Sequence, residues 1–225
     1  MDKIKQHFEA EARDFDRIIL TLIPDYPGMV KALVEALPFE RALSIKVIDL
    51  GCGTGTVAQG VLDAFPNAQV TCLDLAENMI AMAQSKLARY SGVRFVVGDF
   101  TTFDGEYDVV IFSLALHHLA TDQDKQNFYR VIFGKLSAGG AFYNGDVVLA
   151  SGNVLQAKYM EQWRGFMRHN ISEQEIEDTW IAKYQAEDHP ARLADQLAWL
   201  TEIGFADVDV VWKHCNFAVY GGVKP

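Results

Sequence analysis

Apolar positions fall every three or four residues at the start of the chain. Further on they close up into short unbroken runs. Ile4, Phe8, Phe15, Ile19 and Leu22 lie near one face of a helix expected over residues 3–22, which Pro24 and Pro27 stop. A second helix carries the stripe Met29, Val30, Leu33, Val34 and Leu37 and closes at Pro38. The switch comes at Ile45–Leu50, an almost wholly apolar run of the kind that forms a strand buried on both faces. The turn Gly51–Gly55 leads into a helix to about Phe65, followed by strand Gln69–Asp74, helix Glu77–Tyr90 and strand Val93–Val97. Strand Asp108–Ser113 and helix Asp122–Leu136 come next, and Gly139–Gly140 turns the chain into a fifth strand, Ala141–Leu149. Strands alternating with helices predict βαβ units and a parallel sheet. Only Gly98–Tyr107 separates strands three and four, too short for a crossover helix, so a loop or single turn is expected there.

Residues 152–186 read as helices without strand alternation and carry Tyr159, Trp163, Phe166, Trp180 and Tyr184, which suits a lid. From Pro190 a helix on Leu193, Leu197, Leu200 and Ile203 ends at Gly204. Val208–Trp212 and Phe217–Tyr220 then form an antiparallel pair. The 225 residues make one domain, with a helical cap over 1–44, an α/β core over 45–150, a helical lid over 151–189 and a final helix and strand pair over 190–225.

Composition narrows the partners. A formal charge of −10 repels phosphate backbones and anionic membranes, and no Lys/Arg cluster offsets it, so nucleic acid is disfavoured. Cys52, Cys72 and Cys215 are an odd set without a CxxC spacing, which predicts a reducing compartment and no metal centre. The charge-rich first 16 residues lack the apolar stretch of a signal peptide, and no apolar run approaches the roughly 20 residues of a membrane span, so a cytoplasmic protein is expected. A homo-oligomer, in the simplest case a homodimer, is expected.

The chemistry concentrates at Val47-Ile48-Asp49-Leu50-Gly51-Cys52-Gly53-Thr54-Gly55, a buried strand running into a turn with glycine at alternate positions. Such a turn lets a ligand lie against bare backbone at the N-terminus of the next helix. The spacing is G-x-G-x-G, not the G-x-G-x-x-G of dinucleotide binders, and Asp49 stands two residues ahead of it. A pyrophosphate is a poor neighbour for that carboxylate, whereas S-adenosylmethionine carries an ammonium, a sulfonium and no phosphate. Asp74 ends the second strand, where it can accept both ribose hydroxyls, and Asp99 follows the third, where it can accept from an adenine amino group.

Through VIDLGCGTGTVA, CLDLAENMI, VVGDF and YDVVIFSLALHHL the chain resembles the class I S-adenosylmethionine-dependent methyltransferases. The resemblance implies a doubly wound, Rossmann-like, mostly parallel seven-stranded sheet with an antiparallel last strand. Over nearly its whole length, through IPDYPGM, ISEQEIE and WLTEIGFADVDVVWKHCNFAVYGGVK, it is similar to the carboxy-S-adenosylmethionine synthase group and its methyltransferase relatives. That resemblance implies a cofactor site in which Tyr26 closes over the ligand and Gly51, Cys52 and Gly53 line the methionine portion. Asp74 and Leu75 would hold the ribose, Asp99 and Phe100 the adenine, and Ser113 the site after strand four; Asp49, Gly55 and Met79 complete the set. The group holds its extra carboxylate with an arginine where this chain has Trp180, with Lys183 nearby. Ordinary S-adenosylmethionine is therefore the expected cofactor.

His117 and His118 follow strand four and suit a general base, or else one packed and one solvated histidine; no third metal ligand stands at useful spacing. Asp146 and Trp163 are candidates for contact with the acceptor, and the aromatics of 152–186 suit packing as well as stacking. The expected function is methyl transfer to a small molecule, which needs alignment and water exclusion more than acid–base chemistry. A carboxylated-cofactor synthase, a dinucleotide-dependent oxidoreductase and a cofactor sensor are the alternatives.

Overall fold

The computed structural model describes Glu9, Ala12 and residues 14–225. The first half of the helix expected over 3–22 therefore lies largely outside the described residues; its remainder is α1, Phe15–Leu22, which ends just before Pro24. Tyr26–Glu35 forms α2. Its start is set by Asp25, at φ 51°, whose carboxylate accepts the Gly28 N–H at 3.2 Å while Pro27 occupies the first turn.

The sheet has seven strands: β1 Lys46–Leu50, β2 Gln69–Asp74, β3 Val93–Val97, β4 Tyr107–Ser113, β5 Leu136–Val147, β6 Ala206–His214 and β7 Phe217–Val223. Their spatial order is β3-β2-β1-β4-β5-β7-β6, with β1 to β5 parallel and β7 antiparallel to both of its neighbours. This is the doubly wound sheet the alternation predicts, and the order reverses at β1.

Alternate strand residues feed two cores. Val47 of β1 and Val109 and Ile111 of β4 face α1, α2, α3 (Thr56–Ala64) and α6 (Asn153–Met167). Ile48, Leu50, Val110 and Phe112 face α5 (Asp122–Lys135) and α8 (Leu193–Ile203). Both faces are dry, which is why the strands read as unbroken apolar runs. A 3₁₀ turn at Phe100–Thr102 makes the short link from β3 to β4, as its length requires.

Several boundaries differ from the sequence reading, β6 and β7 running a few residues longer than expected. The helix after β2, α4, is Glu77–Lys86 and stops short of Tyr90. Strand β5 starts at Leu136, not Ala141, and ends at Val147, with Leu149 bridging only Arg192. The glycine pair is not a turn before the strand but a bulge inside it: the β4–β5 register shifts between Tyr107 and Val109. A Cβ on Gly140 would come within 3.0 Å of the Asp108 carbonyl, so the bulge needs glycine there. The segment after β5 is helical, as expected: α6 is followed by α7, in which Glu173–Glu175, a π-helical stretch Ile176–Ile181 and Ala182–Glu187 run on. Among the described residues no helix is long and apolar enough to cross a membrane.

Candidate active site

A cavity with about 790 Å³ of empty space, partly open to solvent, lies at the carboxyl ends of β1, β2 and β4. Its floor is the glycine turn. Gly51 and Gly53 have φ of 69° and 53°, values that glycine adopts without cost. A Cβ on Gly51 would stand 2.6 Å from the Ala115 methyl. Asp74 fastens the turn to β2, accepting the Gly53 N–H at 2.8 Å on one oxygen and the Ala76 N–H at 2.9 Å on the other. Tyr26, Cys52, Leu75, Met79, Phe100 and Ser113 line the same space. Burial holds the Tyr26 phenol protonated far above its ordinary range.

Three of the expected contact residues are not on the wall of this cavity. Asp49 is fully buried beneath the turn and does not reach the cavity wall. Burial lifts its carboxyl to about 7, and the neighbouring charge of Asp74 adds to the rise. Gly55, at φ 82°, is pressed against Leu87, its role being to start α3. Asp99 turns back to cap the 3₁₀ turn, accepting from both the N–H and the hydroxyl of Thr101 at 2.8 Å. These residues shape the turns around the ligand space without lining it.

Sequence reasoning missed the brace behind the turn. The Lys86 ammonium donates to Asp16 at 2.9 Å, Thr54 at 2.7 Å and Thr56 at 2.8 Å, joining α1 to the glycine turn and α3. This places Phe15 on the cavity wall. The isolated pattern Thr54-x-Thr56 was visible, but its partners come from distant elements.

A second cavity adjoins the first and shares Phe15, Leu114 and His118 with it. Its wall is mainly apolar, with Ile19, Val147, Trp163, Tyr184 and Phe217, and has a polar end at His117, His118 and Asp188. Trp163 donates its indole N–H to the Leu22 carbonyl at 2.7 Å, tying α6 to α1. Trp180 and Lys183 complete the rim, with Lys183 Nζ 5.4 Å from the Trp180 ring. Of the other aromatics, Tyr159 packs under Lys213 and, like Phe166, is off this wall.

The histidines sit on a 3₁₀ turn, Leu116–His118, launched by Leu114 in a left-handed conformation at φ 54°. Such a φ is uncommon for leucine and marks a locally constrained backbone. His117 Nδ1 is 2.5 Å from Asp146 Oδ1, and Asp146 also accepts the His117 N–H at 3.1 Å and the Val147 N–H at 2.8 Å. Asp146 is thus behind His117 and on neither cavity wall, so it faces these spaces only through that histidine. Burial opposes charge on His117, but Asp146 and Asp188 outweigh it and raise the imidazole to about 10. Burial and the His117 charge push His118 down to about 4. The missing third polar partner of the histidine pair is Asp188, contributed after α7, where no local pattern announces it.

The first cavity has no Lys or Arg on its wall among the described residues, and its one carboxylate is Asp74. A pyrophosphate would meet backbone amides but no cation, whereas a ligand with positive centres meets a compatible surface.

The sequence pattern of a methyltransferase domain family matches residues 47–140, the stretch that builds the glycine turn and strands β1 to β4. The match supports a class I S-adenosylmethionine-dependent methyltransferase domain built on this stretch. Its seven-stranded sheet is similar to that of Haemonchus contortus phosphoethanolamine N-methyltransferase 2 in complex with S-adenosyl-L-methionine, with a TM-score of 0.69 and 16% identity over 96% of this chain and 57% of that one. A carboxy-S-adenosyl-L-methionine synthase of Campylobacter fetus subsp. fetus is 24% identical over 98% of this chain and 96% of its own length. A malonyl-[acyl-carrier protein] O-methyltransferase of Ilyobacter polytropus is 28% identical over 61% of this chain and 49% of its own. The methyltransferase domain thus spans half or less of the malonyl relatives it matches.

Proposed function

We propose that this methyltransferase domain passes the methyl group of S-adenosylmethionine, held in the first cavity, to a small acceptor held in the second. The observation that carries the reading is the shared wall of Phe15, Leu114 and His118 between the two spaces. A donor sulfonium and an acceptor nucleophile can meet there. The sulfonium is already activated, so the protein's contribution is to align the partners and to keep water out. The glycine turn, Asp74 and Leu75 would hold the cofactor, and the apolar wall around Trp163 and Phe217 would hold the acceptor body. The polar end at His117 and His118 would receive the acceptor's nucleophilic group. Methyl transfer then forms the bond from acceptor to carbon, and the electron pair of the breaking carbon–sulfur bond stays on sulfur. The test is incubation with methyl-labelled cofactor and a pool of small metabolites. Labelled acceptor together with stoichiometric S-adenosylhomocysteine supports the reading; S-adenosylhomocysteine without any labelled acceptor contradicts it.

A second reading, a carboxylated sulfonium cofactor, has two observations in its favour. One is the full-length similarity to the Campylobacter synthase. The other is Lys183, which supplies a cation on the second cavity where Trp180 cannot. A carboxylate in such a desolvated space requires a paired positive group. Mass spectrometry of the copurifying nucleoside separates the two: the ordinary cofactor supports the first reading and the carboxylated form the second.

A further inference from the structure

We propose that His117, His118 and Asp188 form a binding site for a divalent first-row metal ion, open toward the second cavity. The ligand atoms of these three residues all lie within 4.8 Å of one another. Asp188 Oδ1 is 3.4 Å from His117 Nε2 and 3.6 Å from His118 Nδ1. Nitrogen and oxygen ligands about 2.0–2.1 Å from one ion are separated by roughly 3.0 Å in an octahedral and 3.4 Å in a tetrahedral arrangement. Small side-chain rotations bring the carboxylate and both rings within that range.

The surroundings fit a metal site. A ligating histidine characteristically gives its other ring nitrogen to a carboxylate, which fixes the tautomer and turns the lone pair toward the ion. His117 meets this condition, because its Nδ1 is on Asp146 and its Nε2 faces Asp188. Asp146 is itself fixed by the Val147 N–H and by Asn144 Nδ2 at 3.3 Å. The three side chains are only 8% (His117), 8% (His118) and 17% (Asp188) exposed, so little ordered water competes for the ligand atoms. Two imidazoles and one carboxylate select borderline ions such as zinc, manganese, iron(II) or cobalt over calcium or magnesium. All three residues line the second cavity, so the positions not taken by protein face the acceptor.

The site's role in the reaction rests on the reading of that cavity as the acceptor pocket. An acceptor hydroxyl bound to the ion loses its proton to solvent more readily. Its oxygen lone pair then forms the bond to the methyl carbon, and the carbon–sulfur pair returns to sulfur. The ion needs no change of oxidation state.

The binding claim can be tested without any activity. Full-length protein is stripped with chelator, checked for S-adenosylmethionine binding, and titrated with zinc and manganese by calorimetry and with cobalt by visible absorption. One ion per chain is expected, together with cobalt bands of nitrogen–oxygen coordination. Asp188→Asn and His118→Ala should each weaken binding by roughly tenfold or more, and Asp146→Asn by 10–100-fold, roughly, as for loss of a supporting carboxylate. His117→Ala is the variant at risk of misfolding, and Asp188→Asn at the partly exposed position serves in its place. Folded, cofactor-binding protein that takes up none of the three ions overturns the proposal, as does uptake unchanged in Asp188→Asn. Metal uptake without methyl transfer leaves the site standing and counts against the acceptor reading alone.

Discussion

At the scale of single residues, Asp49 carries a cost that ligand binding can relieve. Its carboxyl is buried under the glycine turn with no close hydrogen bond, the Ala58 backbone amide giving it only partial relief. Its folded pKa of about 7 lies above its unfolded value. The sign follows: the folded state is not penalised while the group is protonated, below about pH 4, and loses stability as pH rises through the folded pKa. Above that pH the penalty is about 2–4 kcal/mol, at about 1.4 kcal/mol per pKa unit. Asp49→Asn should therefore raise the stability of the ligand-free protein by about that amount at pH 8 and by little at pH 4. It should also weaken binding of a cofactor bearing positive centres. Denaturant melts of both proteins across this range check the point, and parallel curves would contradict it. Asp74 differs from Asp49 in its partners: burial raises its carboxyl too, but its oxygens already hold the Gly53 and Ala76 amides. Asp74→Ala should cost about 1.5–3 kcal/mol of cofactor affinity, the range for hydrogen bonds to a charged group. Calorimetry showing unchanged affinity would remove Asp74 from the site.

Elements show why some of the site was legible and some was not. The glycine turn and Asp74 could be read because they stand at the ends of β1 and β2, and the ends of neighbouring parallel strands meet at one edge of the sheet, whereas Leu75, Met79 and Phe100 came only through the family resemblance. Asp49, Gly55 and Asp99 gave the same local signal, but burial, helix start and turn capping use up their side chains or backbones before they reach the cavity. Asp188 and the Asp16–Lys86 brace were not legible, because they join elements far apart in the chain. The β5 bulge hid behind a glycine pair that reads equally as a turn. The brace makes a prediction of its own. Lys86→Met removes three hydrogen bonds from the brace, leaving the Thr54 hydroxyl on Asp16, and should raise the cofactor dissociation constant by roughly tenfold or more, at about 0.5–1.5 kcal/mol for each net bond. Equal affinity would show that α1 stays in place without it. The Trp163–Leu22 bond ties α6 to α1. Hydrogen exchange in 14–24 and 152–186 should slow together when S-adenosylhomocysteine binds, as expected of a cover that closes as a unit. Exchange unchanged in both segments would mean that neither covers the ligand.

For the molecule as a whole, the fold places a glycine-floored space and an apolar space side by side at one edge of the sheet, with α1, α6 and α7 around them. In the proposed reading the two spaces hold two ligands that meet at their shared wall of Phe15, Leu114 and His118. The most direct test of this account is what the first space binds. Calorimetric titration of the ligand-free protein with S-adenosylmethionine, S-adenosylhomocysteine and NAD should show one site per chain for each sulfur nucleoside and no heat of binding for NAD. Binding of NAD with neither sulfur nucleoside would contradict it.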